Sequence, residues 1–90
     1  MIGPLPLGRV VATPGALKIL LEAGEDPLRY LARHASGDWG NLDEHDRREN
    51  ELSLRHGWRI LSSYPVGEKT IWIITEADRS ATTVLLPEEY

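Results

Sequence analysis

The sequence contains no cysteine, which excludes a disulfide framework and a thiolate metal site. It also lacks any apolar run near the roughly 18–20 residues that a membrane-spanning helix needs. Residues 1–8 carry no basic region and contain two prolines, so they do not read as a signal peptide. We therefore expect a cytoplasmic protein that does not insert into a membrane, with a flexible segment over residues 1–8.

Basic residues are too few for a general nucleic-acid-binding surface. Fourteen Asp and Glu stand against ten Lys and Arg, and the net charge is −4. Non-specific binding to nucleic acid needs a surplus of positive charge, so we do not expect it. The sequence also lacks the glycine-rich phosphate-binding motifs and the G-x-S-x-G nucleophile motif. Composition thus favours a protein or small-molecule partner, and we expect no cofactor.

Three helices are predicted before residue 57. Thr13 and Asp26 are each N-cap residues followed by a proline, Pro14 and Pro27, at the first helical position. A third helix is predicted over residues 43–56. The apolar stripes expected to be buried are Leu17, Leu20 and Leu21 in the first helix, and Leu28, Leu31, Ala32 and Ala35 in the second.

The third predicted helix is unusually polar. Its apolar anchors are limited to Leu42, Leu52 and Leu54. The pairs with favourable i, i+4 spacing are Asp43 with Arg47, Glu44 with Arg48, and Glu51 with Arg55. We therefore expect its first two turns to be solvated or to face a partner.

The C-terminal third predicts an antiparallel meander. Alternating residues indicate strands over 58–64, Lys69–Thr75 and 80–86, and the short run Arg9–Ala12 adds an edge strand. The second strand of the meander has apolar residues on both faces, as a central strand does. The order β-α-α-α-β-β-β over residues 1–90 predicts a single α+β domain, with three helices packed on one face of a three- or four-stranded antiparallel sheet.

The three histidines do not predict a metal site. His45 and His56 share a helix but are separated by about 16 Å along its axis, whereas zinc ligands lie about 2 Å from their ion. His34 belongs to a different helix. We expect ordinary surface or helix-end histidines and no metal.

A loop that leads into an acidic helix start is the first candidate site. Trp39 follows Asp38 between two glycines, and Trp39 either plugs the core or is exposed as a binding anchor. The partner-binding residues of the second interpretation are Asp38, Trp39, Asp43, Glu44, Asp46 and Glu49. An acidic surface with one aromatic side chain would suit a basic groove on a partner protein.

A second candidate site lies on the sheet. Arg59, Tyr64, Asp78 and Arg79 are residue types that a small metal-independent ribonuclease of the toxin type would use. The structural alternative is that Asp78 and Ser80 cap the hairpin turn and Arg79 pairs with Glu76 or Asp78. Both interpretations remain open at the level of sequence.

Nearly the whole chain, from about residue 8 to residue 90, resembles a family of short bacterial proteins. The strings that carry the resemblance are GRVVATPGAL, LARHASGDWG, DRRENELSLRHGWRILSSY and IWIITEADRSATTVLLPEEY. Members occur on plasmids and integrated mobile elements, and some are labelled plasmid-related protein or type I restriction subunit M. Ninety residues without a cofactor-binding domain do not make a DNA methyltransferase. The family lends no catalytic residues.

The resemblance implies an accessory protein of a mobile element. We expect a non-enzymatic protein that binds another protein, with an anti-restriction or anti-CRISPR-like role as one form of that activity. A homodimer formed through an exposed strand edge is compatible with this function and with the ribonuclease alternative.

Overall fold

The fold combines three helices with one sheet. The computed structural model describes residues 4–90. Its elements are β1 Arg9–Ala12, α1 Pro14–Glu22, α2 Pro27–Ala35, α3 Glu44–His56, β2 Ile60–Val66, β3 Lys69–Thr75 and β4 Ala81–Leu85, followed by a 3-10 turn over Pro87–Glu89. This confirms the α+β class with three helices. No helix among residues 4–90 is long and apolar enough to cross a membrane.

The helix ends form where the local sequence predicts them. The side chains of Thr13, Asp26 and Asp43 each accept a hydrogen bond from a backbone N–H in the first turn of α1, α2 and α3, respectively. Gly57 follows α3 with φ of 73°, the left-handed conformation that ends many helices. These boundaries depend on contacts within one turn, so the sequence alone specifies them.

The sheet is mixed, which corrects the prediction of an antiparallel sheet. Its strand order is β1-β4-β3-β2. The pairs β2–β3 and β3–β4 are antiparallel, whereas β1 and β4 are parallel, with Arg9 opposite Ala81. Parallel neighbours need a long connection, and the chain between β1 and β4 supplies it with three helices and two strands.

The core lies between this sheet and the helices α1 and α2. We call the sheet side that contributes Tyr64, Val66, Ile71, Ile73 and Val84 the helix-covered face. Ala16 and Leu20 of α1 and Tyr30 and Leu31 of α2 are buried against it. Of the predicted stripes, Leu17, Leu21, Leu28 and Ala32 are instead exposed. The leucine spacing therefore predicted the buried side of each helix approximately. The centre of the observed buried side is displaced by about one residue from the centre of the predicted one.

The third helix does not pack on the helix-covered face, and two of its three predicted apolar anchors are exposed. Leu52 and Leu54 are 37% and 40% exposed and Leu42 is half-buried, whereas Asn50 and Ser53 are buried. The Asn50 amide donates to the Leu61 carbonyl oxygen at 2.6 Å and accepts from the Leu61 N–H at 3.2 Å. The main chain of Leu61 points away from β3, so α3 is attached to the outer edge of β2.

The opposite side of the sheet, which we call the open face, carries the side chains of Leu61, Trp72, Ile74 and Leu85. The Tyr90 ring lies against Trp72 with ring centroids 5.8 Å apart. Ile74 and Leu85 are buried, while Trp72 is half-buried. The Tyr90 ring therefore covers part of the open face at Trp72.

Residues 4–8 contact the rest of the fold. The Leu5 N–H donates to the Ala35 carbonyl oxygen at 2.9 Å, and the Leu7 side chain packs against the core. The segment predicted to be flexible covers residues 1–8. Its first three residues lie outside the described residues.

Candidate functional site

Trp39 is only 7% exposed, so the interpretation of this residue as an exposed binding anchor is wrong. The loop around it is paired with the edge of β2. The Ser63 N–H donates to the Trp39 carbonyl oxygen at 3.0 Å, and the Asn41 N–H donates to the Ser63 carbonyl oxygen at 2.7 Å. Between them, Gly40 has φ of 72°, and a Cβ at this position would overlap the Ser63 carbonyl oxygen. The loop thus closes the sheet edge with its tryptophan turned inward.

Asp38 holds this loop in place. Its carboxylate accepts hydrogen bonds from the Arg33 guanidinium at 2.6 and 3.3 Å, and Arg33 lowers the pKa of the carboxyl. The buried Tyr64 hydroxyl donates to the Asp38 carbonyl oxygen at 2.6 Å. The contacts of Asp38 are therefore with the fold itself, although its carboxylate remains partly exposed to solvent.

The acidic residues at the start of α3 are exposed or half-buried and form few ion pairs. Asp43 is the N-cap, and Glu44 lies 3.9 Å from Arg48. The Asp46 and Glu49 carboxylates lie 3.6 and 3.7 Å from the two ring nitrogens of His45. Arg47, expected to pair with Asp43, instead donates to the carbonyl oxygens of the preceding loop.

One group on α3 has the composition of a metal ligand set. Ligand atoms of Asp43, His45 and Asp46 lie within 4.8 Å of one another. Asp43 already accepts a hydrogen bond from the Asp46 N–H at 2.8 Å as the helix cap. Because Asp43 and His45 are exposed, this group resembles an ordinary polar helix start.

The four residues of the ribonuclease interpretation do not form one site. Tyr64 is buried on the helix-covered face, and burial raises its pKa to about 12, so it is poorly suited to act as a base near neutral pH. Arg59 lies on the opposite face, where its guanidinium is 5.1 Å from the Tyr90 ring centroid. Asp78 accepts a hydrogen bond from the Ser80 N–H within its own turn.

Arg79 is a structural clamp. It has φ of 62° in the turn between β3 and β4, and its guanidinium donates to the carbonyl oxygens of Ser53, Trp58, Glu76 and Ala77. One interpretation predicted that Arg79 pairs with the carboxylate of Glu76 or Asp78, but the guanidinium bonds to carbonyl oxygens instead. All of these acceptors are main-chain atoms, so Arg79 joins α3, the entry to β2 and the hairpin turn.

A buried polar chain crosses the core at His34. Its Nδ1 lies 2.5 Å from the Ser62 hydroxyl and its Nε2 lies 2.8 Å from the Thr75 hydroxyl. Thr75 in turn bonds to Thr82, whose hydroxyl donates to the Leu7 carbonyl oxygen. Of the two predicted alternatives, His34 is a helix-end histidine in the last turn of α2 and not a surface histidine, because its side chain is fully buried.

The direction of these hydrogen bonds fixes the His34 tautomer. Because Thr82 donates its one proton to Leu7, Thr75 must donate to Thr82 and must accept from the His34 Nε2–H. The His34 Nδ1 then accepts from the Ser62 hydroxyl. Burial lowers the pKa of His34 to about 4, so the ring is neutral.

This histidine–serine pair lies inside the core. His34 and Ser62 are both fully buried. The His34 ring and the Ser62 hydroxyl satisfy each other's hydrogen-bonding groups within the core. The available sequence signal was the alternation of the strands, which places Ser62, Thr75 and Thr82 on the inward face.

The candidate functional site is an open cleft between α3 and β2. Its volume is about 330 Å³, and it is lined by Asp46, Glu49, Asn50, Ser53, Trp58, Arg59 and Leu61. Trp58 is 50% exposed, and its ring stacks on His56 with centroids 4.8 Å apart. A half-exposed indole and two carboxylates therefore line the same cleft.

The strand predicted over residues 58–64 includes Trp58, whereas β2 begins at Ile60. Trp58 instead follows the end of α3, and its N–H donates to the Ser53 carbonyl oxygen at 3.1 Å. The signal that could have located it is Gly57, since a glycine stop is followed by one residue that still bonds back to the helix.

Comparison of the chain with protein-family models, with curated proteins and with solved structures found no match.

Proposed function

We propose that the protein is a non-enzymatic binding protein whose cleft between α3 and β2 receives a basic side chain of a partner protein. The observation that carries the proposal is that Trp58, Asp46 and Glu49 line one cleft. A basic partner segment lying in the cleft would meet the Trp58 ring after the last turn of α3 and the carboxylates of Asp46 and Glu49 farther along that helix.

The charges around the cleft favour an external cation. Arg59 lines the cleft, but its guanidinium lies over the Tyr90 ring and makes no ion pair with Asp46 or Glu49 among the described residues. The two carboxylates contact only the imidazole of His45 at ion-pair distance within that part of the chain. Their charge is thus available to a partner.

The proposed partner is a protein with a basic groove, such as a nucleic-acid enzyme of host defence or of DNA transfer. Asp43 and Glu44 extend the negative charge along the same helix beyond the cleft. Such a surface would steer association with a positively charged groove. The resemblance to proteins of mobile elements supports an anti-restriction or anti-CRISPR-like role for this binding.

A binding assay with short basic peptides tests the proposal. We expect blocked hexa-arginine and hexa-lysine peptides to bind and to quench Trp58 fluorescence, with hexa-arginine binding more tightly because its planar groups stack on indole. The double variant Asp46→Asn/Glu49→Gln should weaken binding by about tenfold or more, and Trp58→Ala should weaken it by a similar factor.

The matched control is Glu51→Gln/Glu68→Gln, which removes the same charge from exposed positions outside the cleft and outside the acidic start of α3. We expect this control to weaken binding by no more than about threefold at 0.15 M salt, because exposed charges are screened. Equal losses in the two double variants would indicate general charge attraction and would overturn the cleft as the binding site.

A further inference from the structure

The two edges of the sheet differ in how their backbone groups are used. On the β2 edge, Asn50 takes both main-chain groups of Leu61, and the Trp39 loop takes both of Ser63. Pro65 follows at the next outward position and has no N–H to offer. Every outward-facing position from Leu61 to Pro65 is thus closed to a further strand.

The β1 edge has no such protection. Arg9 and Thr13 donate to the carbonyl oxygens of Ser80 and Val84, so the alternate residues Val10 and Ala12 direct their N–H and C=O groups away from β4. Among residues 4–90, no group bonds to these outward atoms. Val10 and Val11 are 45% and 39% exposed. This edge is a template for another strand.

We propose that β1 pairs antiparallel with β1 of a second copy of this chain, joining two sheets into one. Hydrogen bonds require outward residues to face each other, and the symmetric register centred on Val11 sets Val10 opposite the partner's Ala12. Both pairs then exchange two hydrogen bonds. Val11 meets the partner's Val11 in the closer, non-hydrogen-bonded pair, and the two exposed side chains cover each other.

Charge complementarity favours a second copy as the occupant. In this register Arg9 lies directly opposite the partner's Thr13. The Thr13 hydroxyl donates to the Glu89 carboxylate at 2.6 Å, so each Arg9 would lie close to a carboxylate of the other copy. The two Arg9 side chains are at opposite ends of the paired strands and do not repel each other. In the alternative register, Val10 would lie opposite the partner's Val10 and each Arg9 opposite the partner's Val11. The contact between Arg9 and the carboxylate would then be lost.

Sedimentation velocity of the full chain over micromolar to millimolar concentration tests the proposal. We expect a weak, concentration-dependent dimer, because only the five residues from Arg9 to Thr13 of each copy pair. Val10→Pro removes only an outward N–H and should weaken the dimer by about tenfold or more. Thr70→Pro is the matched control, since Thr70 lies at an exposed position of β3 far from β1. It should leave the dimer affinity within about twofold of the original value.

Charged variants at the two-fold axis test the register. We expect Val11→Lys and Val11→Glu each to be monomeric alone, because like charges meet across the axis, and their mixture to form a heterodimer. A Val11→Glu chain that dimerises alone would instead indicate pairing with Arg9 and would overturn this register. A wild-type chain that remains monomeric at millimolar concentration would overturn the dimer, and an added partner strand from another protein would then be the occupant of the edge.

Discussion

At the scale of single residues, His34 couples the fold to pH. Its pKa is lowered from 6.5 to about 4 by burial, while the unfolded chain binds the proton with the ordinary pKa. Between these two values the unfolded state holds more protons, so stability falls as pH decreases from about 6.5 to about 4. The loss should reach about 3 kcal/mol and then level off.

The variant His34→Gln tests this coupling, because glutamine keeps one acceptor and one donor but does not titrate. We expect urea unfolding between pH 7.5 and pH 4.5 to show a much smaller pH dependence in this variant than in the original chain. The control is His45→Gln, whose side chain is exposed on α3 and whose removal should leave the pH dependence in place. An unchanged dependence in His34→Gln would contradict the assignment.

The tryptophans should differ in their accessibility to solvent. Trp39 is 7% exposed and Trp58 is 50% exposed. Two single-tryptophan variants, Trp58→Phe/Trp72→Phe and Trp39→Phe/Trp72→Phe, should therefore differ severalfold in quenching by acrylamide, with Trp58 quenched more strongly. Unfolding each variant in urea should abolish the difference. A Trp39 signal that is quenched as strongly as Trp58 in the folded state would restore the loop as a candidate contact surface.

At the scale of the element, α3 is held by an amide rather than by leucines. Asn50→Ala removes two hydrogen bonds to Leu61, and we expect a loss of about 1–3 kcal/mol in the free energy of unfolding. Amide hydrogen exchange at Leu61 should accelerate in the same variant. Urea unfolding and NMR exchange measure the two effects.

Leu54→Ala is the matched control on the same helix. Because Leu54 is 40% exposed, we expect its truncation to change stability by no more than about 0.5 kcal/mol. The opposite ranking, with Leu54→Ala the more costly change, would mean that α3 is anchored by its apolar side chains.

The same helix illustrates what sequence can and cannot predict here. Its ends were predictable because Asp43 and Gly57 act on the nearest turn. Its attachment was not, since Asn50 is polar and its partner, Leu61, is eleven residues away on a strand edge. The spacing of apolar residues does not reveal that the Asn50 amide bonds to the edge of β2 in the place of a neighbouring strand.

The parallel pairing of β1 with β4 was unpredictable for a related reason. Arg9–Ala12 was correctly identified as a strand, but its neighbour is set by tertiary packing over some 70 residues of chain. The position of Trp58 in the cleft depends in turn on α3 and β2 lying side by side. The candidate site could therefore not be assembled from local motifs.

At the scale of the whole molecule, Arg79 joins the parts that form the cleft. Its guanidinium bonds to the carbonyl oxygens of Ser53 and Trp58, and both residues line the cleft. We expect Arg79→Ala to lower the free energy of unfolding by about 2–3 kcal/mol, because charged hydrogen bonds to several carbonyls are lost together. Arg79→Gly should be less destabilising than Arg79→Ala by about 1 kcal/mol, since glycine tolerates φ of 62° without strain.

A loss of the clamp should also alter the cleft without unfolding the protein. Arg79→Lys keeps the charge but cannot reach the same set of carbonyl oxygens, so Trp58 should become more mobile and its fluorescence anisotropy should fall. Hydrogen exchange at the end of α3 and at the β3–β4 turn should accelerate together in this variant. Arg55→Ala, which removes an exposed charge from the last turn of α3, is the control and should affect the helix end alone. If hydrogen exchange in Arg79→Lys accelerated only in the hairpin turn, Arg79 would be a local turn residue. The geometry of the cleft would then depend on the contact between Asn50 and Leu61.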